Sequence, residues 1–484
     1  MQHEMTTKSR GRKIVTALAA TGAAVSSAFG QSTNAPAAKN GMISLIGTEP
    51  AINYAFRRNL EFYGDPNTEG GNLWDRTQLT GNWGGVRDKA VAHGVYLDAS
   101  VTQFLQGNVS GGINQGPARY NGSADYWLTI DSGQAGLWPG GAIFAHAESS
   151  WQARKNQNVN GDTGSLVPAN FDATMPSNGE SQGIALPELY LAQGLPGNLL
   201  AIAGKVDFAG IGDQNLFANN ERTEFICTAL VNNPILGSFL PYTPLGVALD
   251  WAPCKEHNLA VLGVQSQGNG TTAGFNNFNG DYAIGSQYTY SPTIAGHLPG
   301  DYHFLVAYST KSFTDFNLNS QDLIGEIIGK VPVSKKDGNY CALASFDQYF
   351  WTRDAGETPA DAPARKGLPP VGVGLFARAG WEPQDRNVID QFYSAGIGGY
   401  GGIPGRDRDQ WGLGWAGTHI SGDLRNDLAA LGRHPNEFEN AVEAFYNFAV
   451  TPAFHVSLDV EVIKSAASAV DTAVVLGTRF QFDF

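Results

Sequence analysis

The chain has 484 residues, 60 of them glycine, with only 16% charged side chains and 11% aromatics. A net charge of −14 excludes a broad basic face for nucleic acid. A hydrophobic content of 42% is too high for a disordered acidic chain.

Residues 1–30 read as a secretory signal peptide. Lys8, Arg10, Arg12 and Lys13 form a basic start, and Ile14 to Phe29 is apolar and rich in alanine. Ala28-Phe29-Gly30 then offers small residues at −3 and −1 before Gln31. Cleavage there would leave 27 basic residues against 44 acidic ones. Residues 31–93 read as an N-terminal periplasmic segment. Within it, 51–63 and Trp83 to His93 have helical spacing, the second stopped by Gly94.

From residue 94 to 484 the pattern has period two. Tyr126, Leu128 and Ile130 alternate with Asp125, Trp127, Thr129 and Asp131. Val373, Leu375, Ala377 and Ala379 alternate with Gly372, Gly374, Phe376, Arg378 and Gly380. Each such run predicts a strand with one apolar and one polar face. Sixteen runs are expected: 94–107, 123–132, 140–151, 184–194, 198–207, 243–252, 256–267, 279–290, 302–312, 341–351, 371–382, 390–400, 410–421, 438–450, 453–464 and 472–484. Most are long enough for a tilted membrane strand of about 9–11 residues. Connections mostly alternate long and short, as in a barrel with short turns at one end and loops at the other. The Pro/Ala-rich stretch 352–370 breaks that rule, either as an insertion in a turn or as an error of count. Trp138, Trp251, Trp351, Trp381, Trp411 and Trp415 sit near strand ends, where barrels carry aromatic girdles. The fold class expected is all-β: a transmembrane antiparallel barrel of about sixteen strands with a short N-terminal helix. The competing reading is a large secreted β-protein, which alternation alone does not exclude.

There is no HExxH, no GxSxG and no phosphate loop, so no catalytic residue is expected and the chain does not read as an enzyme. Cys227, Cys254 and Cys341 form no CxxC and have no metal-ligand spacing. Their odd number leaves at least one thiol unpaired. No cofactor and no metal are expected. A lumen should be lined by groups that hydrogen-bond a solute and let it go. Candidates are Asp125, Trp127, Glu148, Glu188, Tyr190, Lys205, Asp207, Arg378 and Glu461 on strands. Trp151, Arg154 and Arg222 come from the long connections 152–183 and 208–242, which are expected to form the eyelet. Lys205 and Asp207 should share a strand face with Glu188 and ring the lumen at mid-height. For any one of these, a wall-stiffening salt bridge is the competing role.

Several segments together resemble the carbohydrate-selective porins of the OprB type. They are L-T-G-N-W-G-G-V-R at 79–87, H-G-V-Y-L-D at 93–98 and G-N-V-S-G-G at 107–112. Leu186 to Leu191, followed by Ala203 to Phe208, is similar to the middle of that family. G-V-G-L-F-A-R-A-G-W at 372–381, Y-S-A-G-I-G at 393–398, I-P-G-R at 403–406 and the last strand are similar to its later part. The resemblance covers about 79–484. It implies a sixteen-stranded porin in the Gram-negative outer membrane, passing mono- and small oligosaccharides into the periplasm by diffusion. It also implies an inward-folded loop between strands 5 and 6. The partners implied are sugars in transit, outer-membrane lipid and the assembly machinery that reads a terminal strand ending in Phe484. Large porins often form homotrimers. A porin of other selectivity and a secreted carbohydrate-binding protein are the alternatives.

Overall fold

A computed structural model describes residues 71–153, 158–174, 183–266, 280–318, 332–353 and 369–484. The signal-peptide and 51–63 expectations lie outside these residues. A 3-10 turn at Trp83–Gly85 leads into helix α1, Val86–Ala92. Gly94, at φ 74°, ends it, a conformation that costs glycine no steric clash.

The strands follow in chain order: β1 (Val95–Gly112), β2 (Arg119–Asp131), β3 (Gly141–Gln152), β4 (Ile184–Leu195), β5 (Leu199–Lys205), β6 (Leu245–Cys254), β7 (His257–Gln265) and β8 (Tyr282–Tyr290). The two-residue β9 (Thr293–Ile294) lies in a turn. Then come β10 (Leu298–Thr314), β11 (Lys335–Thr352), β12 (Gly372–Trp381), β13 (Ile389–Tyr400), β14 (Gln410–Ile420), β15 (Phe438–Thr451), β16 (Phe454–Lys464) and β17 (Asp471–Asp483). Short helices interrupt the connections: α2 (Val159–Thr163), α3 (Phe208–Gly212), α4 (Thr228–Val231), α5 (Pro234–Phe239) and α6 (Gly422–Ala430).

Each long strand pairs antiparallel with its sequence neighbours, and β1 pairs with both β2 and β17. The sheet is therefore closed into a sixteen-strand antiparallel barrel. Closure leaves no open edge, so every wall strand finds a partner on both sides. All sixteen expected runs are strands. The 352–370 stretch is an insertion and not an error of count, because Thr352 and Gly372 face each other across β11 and β12.

The period-two pattern becomes two faces. Leu375, Leu413, Leu458, Phe304 and Val306 are exposed on the outside. Asp125, His146, Glu443, Glu461 and Arg479 are buried on the inside. No helix among the described residues is long and apolar enough to cross a membrane, so any crossing falls to the strands. Trp138, Trp251, Trp351, Trp381 and Trp415 are exposed. His257, Tyr290, Tyr302 and Phe346 form a continuous aromatic belt across β7, β8, β10 and β11, with centroids 5.1, 6.3 and 5.7 Å apart.

The termini-bearing end is latched. Leu79 N donates to Asp483 O at 2.8 Å, and Phe484 N donates to Ala99 O at 2.8 Å. Buried Arg87 of α1 donates to Phe484 O at 2.8 Å and Gly81 O at 3.0 Å. The helix thus stands against the β1–β17 seam.

Candidate functional site

The wall is continuous, so the interior is defined by what enters it. Strand β5 has only seven residues. After Lys205, which faces Leu189 in the middle of β4, the chain leaves the wall. Gly204, at φ 144°, makes that departure possible, and a Cβ there would strike Leu189 O and Tyr190. Asp207 then accepts from Gly210 N at 2.7 Å and opens α3. The whole connection 206–244 lies inside, with Phe217, Phe225, Ile226, Leu230 and Val231 buried.

The part of 158–174 that follows β3 also folds inward. The two connections are bonded to each other, Phe171 N to Ile226 O at 3.0 Å and Thr228 N to Pro168 O at 3.1 Å. Asp172 accepts from Asn121 Nδ2 at 2.7 Å and from Ser123 Oγ. Leu166 N and Val167 N donate to Glu439 at 2.7 and 2.8 Å. Backbone N–H groups brought into the lumen are thus met by wall carboxylates, as buried donors require.

Two sectors of wall hold the 206–244 loop. On β12–β14 the inner face carries Gly374, Gly396, Gly398, Gly412 and Gly414. Phe217 lies over Gly374 and Gly398, Phe225 over Gly412, and Leu230 over Gly414. A Cβ on Gly412 would come within 2.8 Å of Phe225, and one on Gly414 within 2.9 Å of Leu230. Phe225 also meets Phe445 edge-on at 4.8 Å. Beside this seat, Arg378 Nε donates to Asp213 at 3.0 Å and its NH1 to Leu230 O at 2.9 Å. Tyr400 OH donates to Glu224 at 3.1 Å.

On β1–β4 the inner face is polar. Arg222 NH1 donates to Ser100 Oγ at 3.1 Å and lies 3.7 Å from Asp125 Oδ2. Its guanidinium sits 4.8 Å over the Trp127 ring, and Trp127 stacks on His146 at 5.1 Å. His146 Nε2 is 2.8 Å from Asp125 Oδ1, and its Nδ1 is 3.5 Å from Glu188 Oε2. Glu148 accepts from Tyr242 OH at 3.4 Å. Tyr190 stacks on Phe144 at 4.8 Å. Facing this belt, Arg479 donates to Glu221 O at 2.5 Å and to Ser457 Oγ at 2.7 Å. Neither carboxylate oxygen of Glu221 takes a hydrogen bond. Burial raises three loop carboxyls, Asp172 to about 7, Glu221 to about 8 and Glu224 to about 7.

The structure thus brings Asp125, Trp127, Glu148, Glu188 and Arg222 into one sector, with Tyr190 at its edge. Arg378 stands elsewhere, on β12, and Glu461 on β16 accepts from Gln106 Nε2 of β1 at 3.0 Å. Two expectations need correction. Trp151 has the opposite parity to His146 and Glu148: it lies against Gly122 and donates to Tyr120 OH at 2.9 Å, on the outer face. Lys205 and Asp207 do not share a wall face with Glu188. Lys205 is in register with Leu189 and donates from Nζ to Leu186 O at 2.8 Å, while Asp207 lies past the strand, although its N donates to Glu188 Oε1 at 3.1 Å and so keeps the expected neighbour. Arg154 lies outside the described residues. The inward glycines were missed as site residues. Their signal is the run of glycines on one parity of three consecutive strands.

The description of a carbohydrate-selective porin, OprB family, matches residues 62–484. The chain belongs to that family. It is similar in fold to the high-pH structure of Pseudomonas putida OprB, at 19% identity and TM-score 0.71, covering 85% of this chain and 99% of that one. The low-pH structure of the same protein aligns over the same shares at 16% identity and TM-score 0.51. No curated protein matches the chain. Family and fold make this a carbohydrate porin, a channel protein of the kind found in Gram-negative outer membranes.

Proposed function

We propose that residues 94–484 span the outer membrane as the porin domain, after removal of the 1–30 signal peptide. Residues 31–93 then stand on the periplasmic side, as does the α1 latch. Long connections face outward and the short turns face the periplasm, as in bacterial barrels generally. Sugars cross by diffusion past the inward loop, and no catalytic step is involved. The final strand, ending in Phe484, is the segment the assembly machinery would read, the exposed outer apolar face meets lipid, and a homotrimer is the assembly to test.

The observation that carries this reading is the belt on β1–β4. It groups aromatic rings (Trp127, His146, Tyr190) with carboxylates, Glu148 among them, in one buried polar sector of the inner wall beneath the loop. Carboxylates take hydroxyl hydrogens and rings pack on C–H faces, the two kinds of surface a pyranose presents. The guanidinium of Arg222 supplies donors in the same place. Weak, multiple contacts of this kind let a solute bind and leave.

The test is planar-bilayer conductance of the purified protein, titrated with glucose and then with a disaccharide. Discrete steps that fall saturably with sugar are expected. Steps insensitive to either sugar would leave a porin without carbohydrate selectivity. No steps from folded protein would overturn the channel itself.

A further inference from the structure

The same loop carries Cys227, and the wall facing it carries Glu443 and Glu461. One ligand atom from each of these three lies within 4.8 Å of the others. All three side chains are buried, and the two glutamates are 0% exposed. They come from β15 and β16, where Glu443 and Glu461 are direct register partners on the inner face. Like charges directly opposite across a ladder repel, and burial makes an uncompensated pair costlier still.

The hydrogen bonds present do not compensate them. Glu443 accepts from Ile226 N at 2.6 Å and Cys227 N at 2.8 Å, which fixes its carboxylate toward the loop. Glu461 Oε1 accepts from Gln106, but its Oε2 is buried with no donor. Asp459, two residues away on the same face and within hydrogen-bond reach of the Glu443 carboxyl, receives no N–H or alcohol hydroxyl donor on either oxygen. The nearest cation, Arg479, spends its donors on Ser457 and Glu221 O. A thiol and three carboxylates thus converge with one guanidinium to balance them.

We propose that Cys227, Glu443 and Glu461 bind a divalent metal ion of the Zn2+ type, with Asp459 the uncommitted carboxylate at hand for the fourth position. A thiolate among oxygen ligands suits Zn2+, whereas Ca2+ and Mg2+ take oxygen alone. On binding, the Cys227 thiol loses its proton to solvent and the Zn–S bond forms, with no change of oxidation state. The ion staples the 206–244 loop to β15–β16. This inference stands apart from the sugar reading, since the barrel needs only to be folded.

The experiment uses the full chain in detergent micelles, stripped with a chelator and titrated with Zn2+ and Co2+. About one Zn2+ per chain is expected, together with a Co2+ thiolate charge-transfer band. Cys227→Ser and Glu461→Gln should lose the band and weaken Zn2+ binding more than tenfold, whereas Cys341→Ser should keep both. Heat-modifiable gel migration reports whether each variant is folded. If those at the site fail to fold, the Cys254→Ser/Cys341→Ser double variant decides, because Cys227 is then the sole thiol. A band there supports the site. Its absence, or a wild-type band untouched by Cys227→Ser in folded protein, overturns the proposal.

Discussion

The inner faces of β12–β14 and β1–β4 hold the same loop by opposite means. On β12–β14 the wall has given up its side chains, and the loop's Phe217, Phe225 and Leu230 sit in the space the glycines leave. On β1–β4 the wall keeps its side chains, and they are charged, hydroxylated or aromatic. Close packing against glycine is specific to shape and dry, so it fixes where the loop goes. A polar belt is costly to bury unless its groups find partners, so it suits a surface that a solute can also bind. On the proposed reading, one sector positions the inward loop and the other supplies the groups a sugar would meet. Changes in the first should alter folding stability and ion conductance, and changes in the second should alter sugar block.

The largest effect is expected beside the glycine seat, at Arg378→Ala. It leaves Asp213 without its guanidinium and uncaps the carbonyl of Leu230. Removing one partner of a buried pair costs roughly 3–5 kcal/mol. The urea midpoint should fall and single-channel noise should rise as the loop loosens. Gly412→Ala comes next. Its Cβ would meet Phe225 and Phe445, and overpacking of this kind costs roughly 1–3 kcal/mol. Because Phe225 must shift, open-channel conductance should change while the sugar inhibition constant stays close to wild type. Trp127→Ala is the converse. Stacking is worth about 0.5–1.5 kcal/mol, so sugar block should weaken roughly 2- to 12-fold. Conductance without sugar should move little. If Gly412→Ala altered sugar block more than Trp127→Ala did, the division of labour between the sectors would be wrong.

The barrel was legible because alternation is enforced twice, by lipid outside and by a polar interior within. Every expected strand is present, but the ends drift. β11 begins at Lys335 and β1 runs on to Gly112, since an extended chain can leave the barrel mouth without changing its pattern. Parity also placed Asp125, Trp127, Glu148, Glu188 and Arg378 on the inner face. It failed where the strand failed: Gly204 ends the alternation, so Lys205 and Asp207 do not continue it. Trp151 was assigned by nearness to a loop, when its parity already set it outside. The approach of Cys227 to Glu443 and Glu461 is a long-range contact made by a loop crossing the lumen, and no local spacing encodes it. The glycine seat was written in the sequence, as G-x-G on one face of β12, β13 and β14. Glycine there marks a close approach of other atoms, which requires knowing that something must fill the lumen.

The smallest effect concerns protons. Glu221 is buried beside Arg222, with Asp125, Asp172, Glu148 and Arg479 also acting on it, and burial raises its carboxyl from 4.5 to about 8. In the unfolded chain the same group releases its proton near its ordinary value of 4.5. Between those two values the folded protein holds a proton that the unfolded chain has lost. Stability should therefore be highest in the acidic part of that window and fall as pH rises through about 8. Glu224, raised to about 7, adds a shallower contribution of the same sign. Urea midpoints measured from pH 5 to pH 9 should decline in the wild type and decline less in Glu221→Gln, which stays neutral throughout. Equal slopes in the two proteins would mean that Glu221 is already ionised in its buried place, held there by Arg222. Arg479 of the wall would then hold the loop by charge as well, and that hold would become salt-dependent in a way the glycine seat is not.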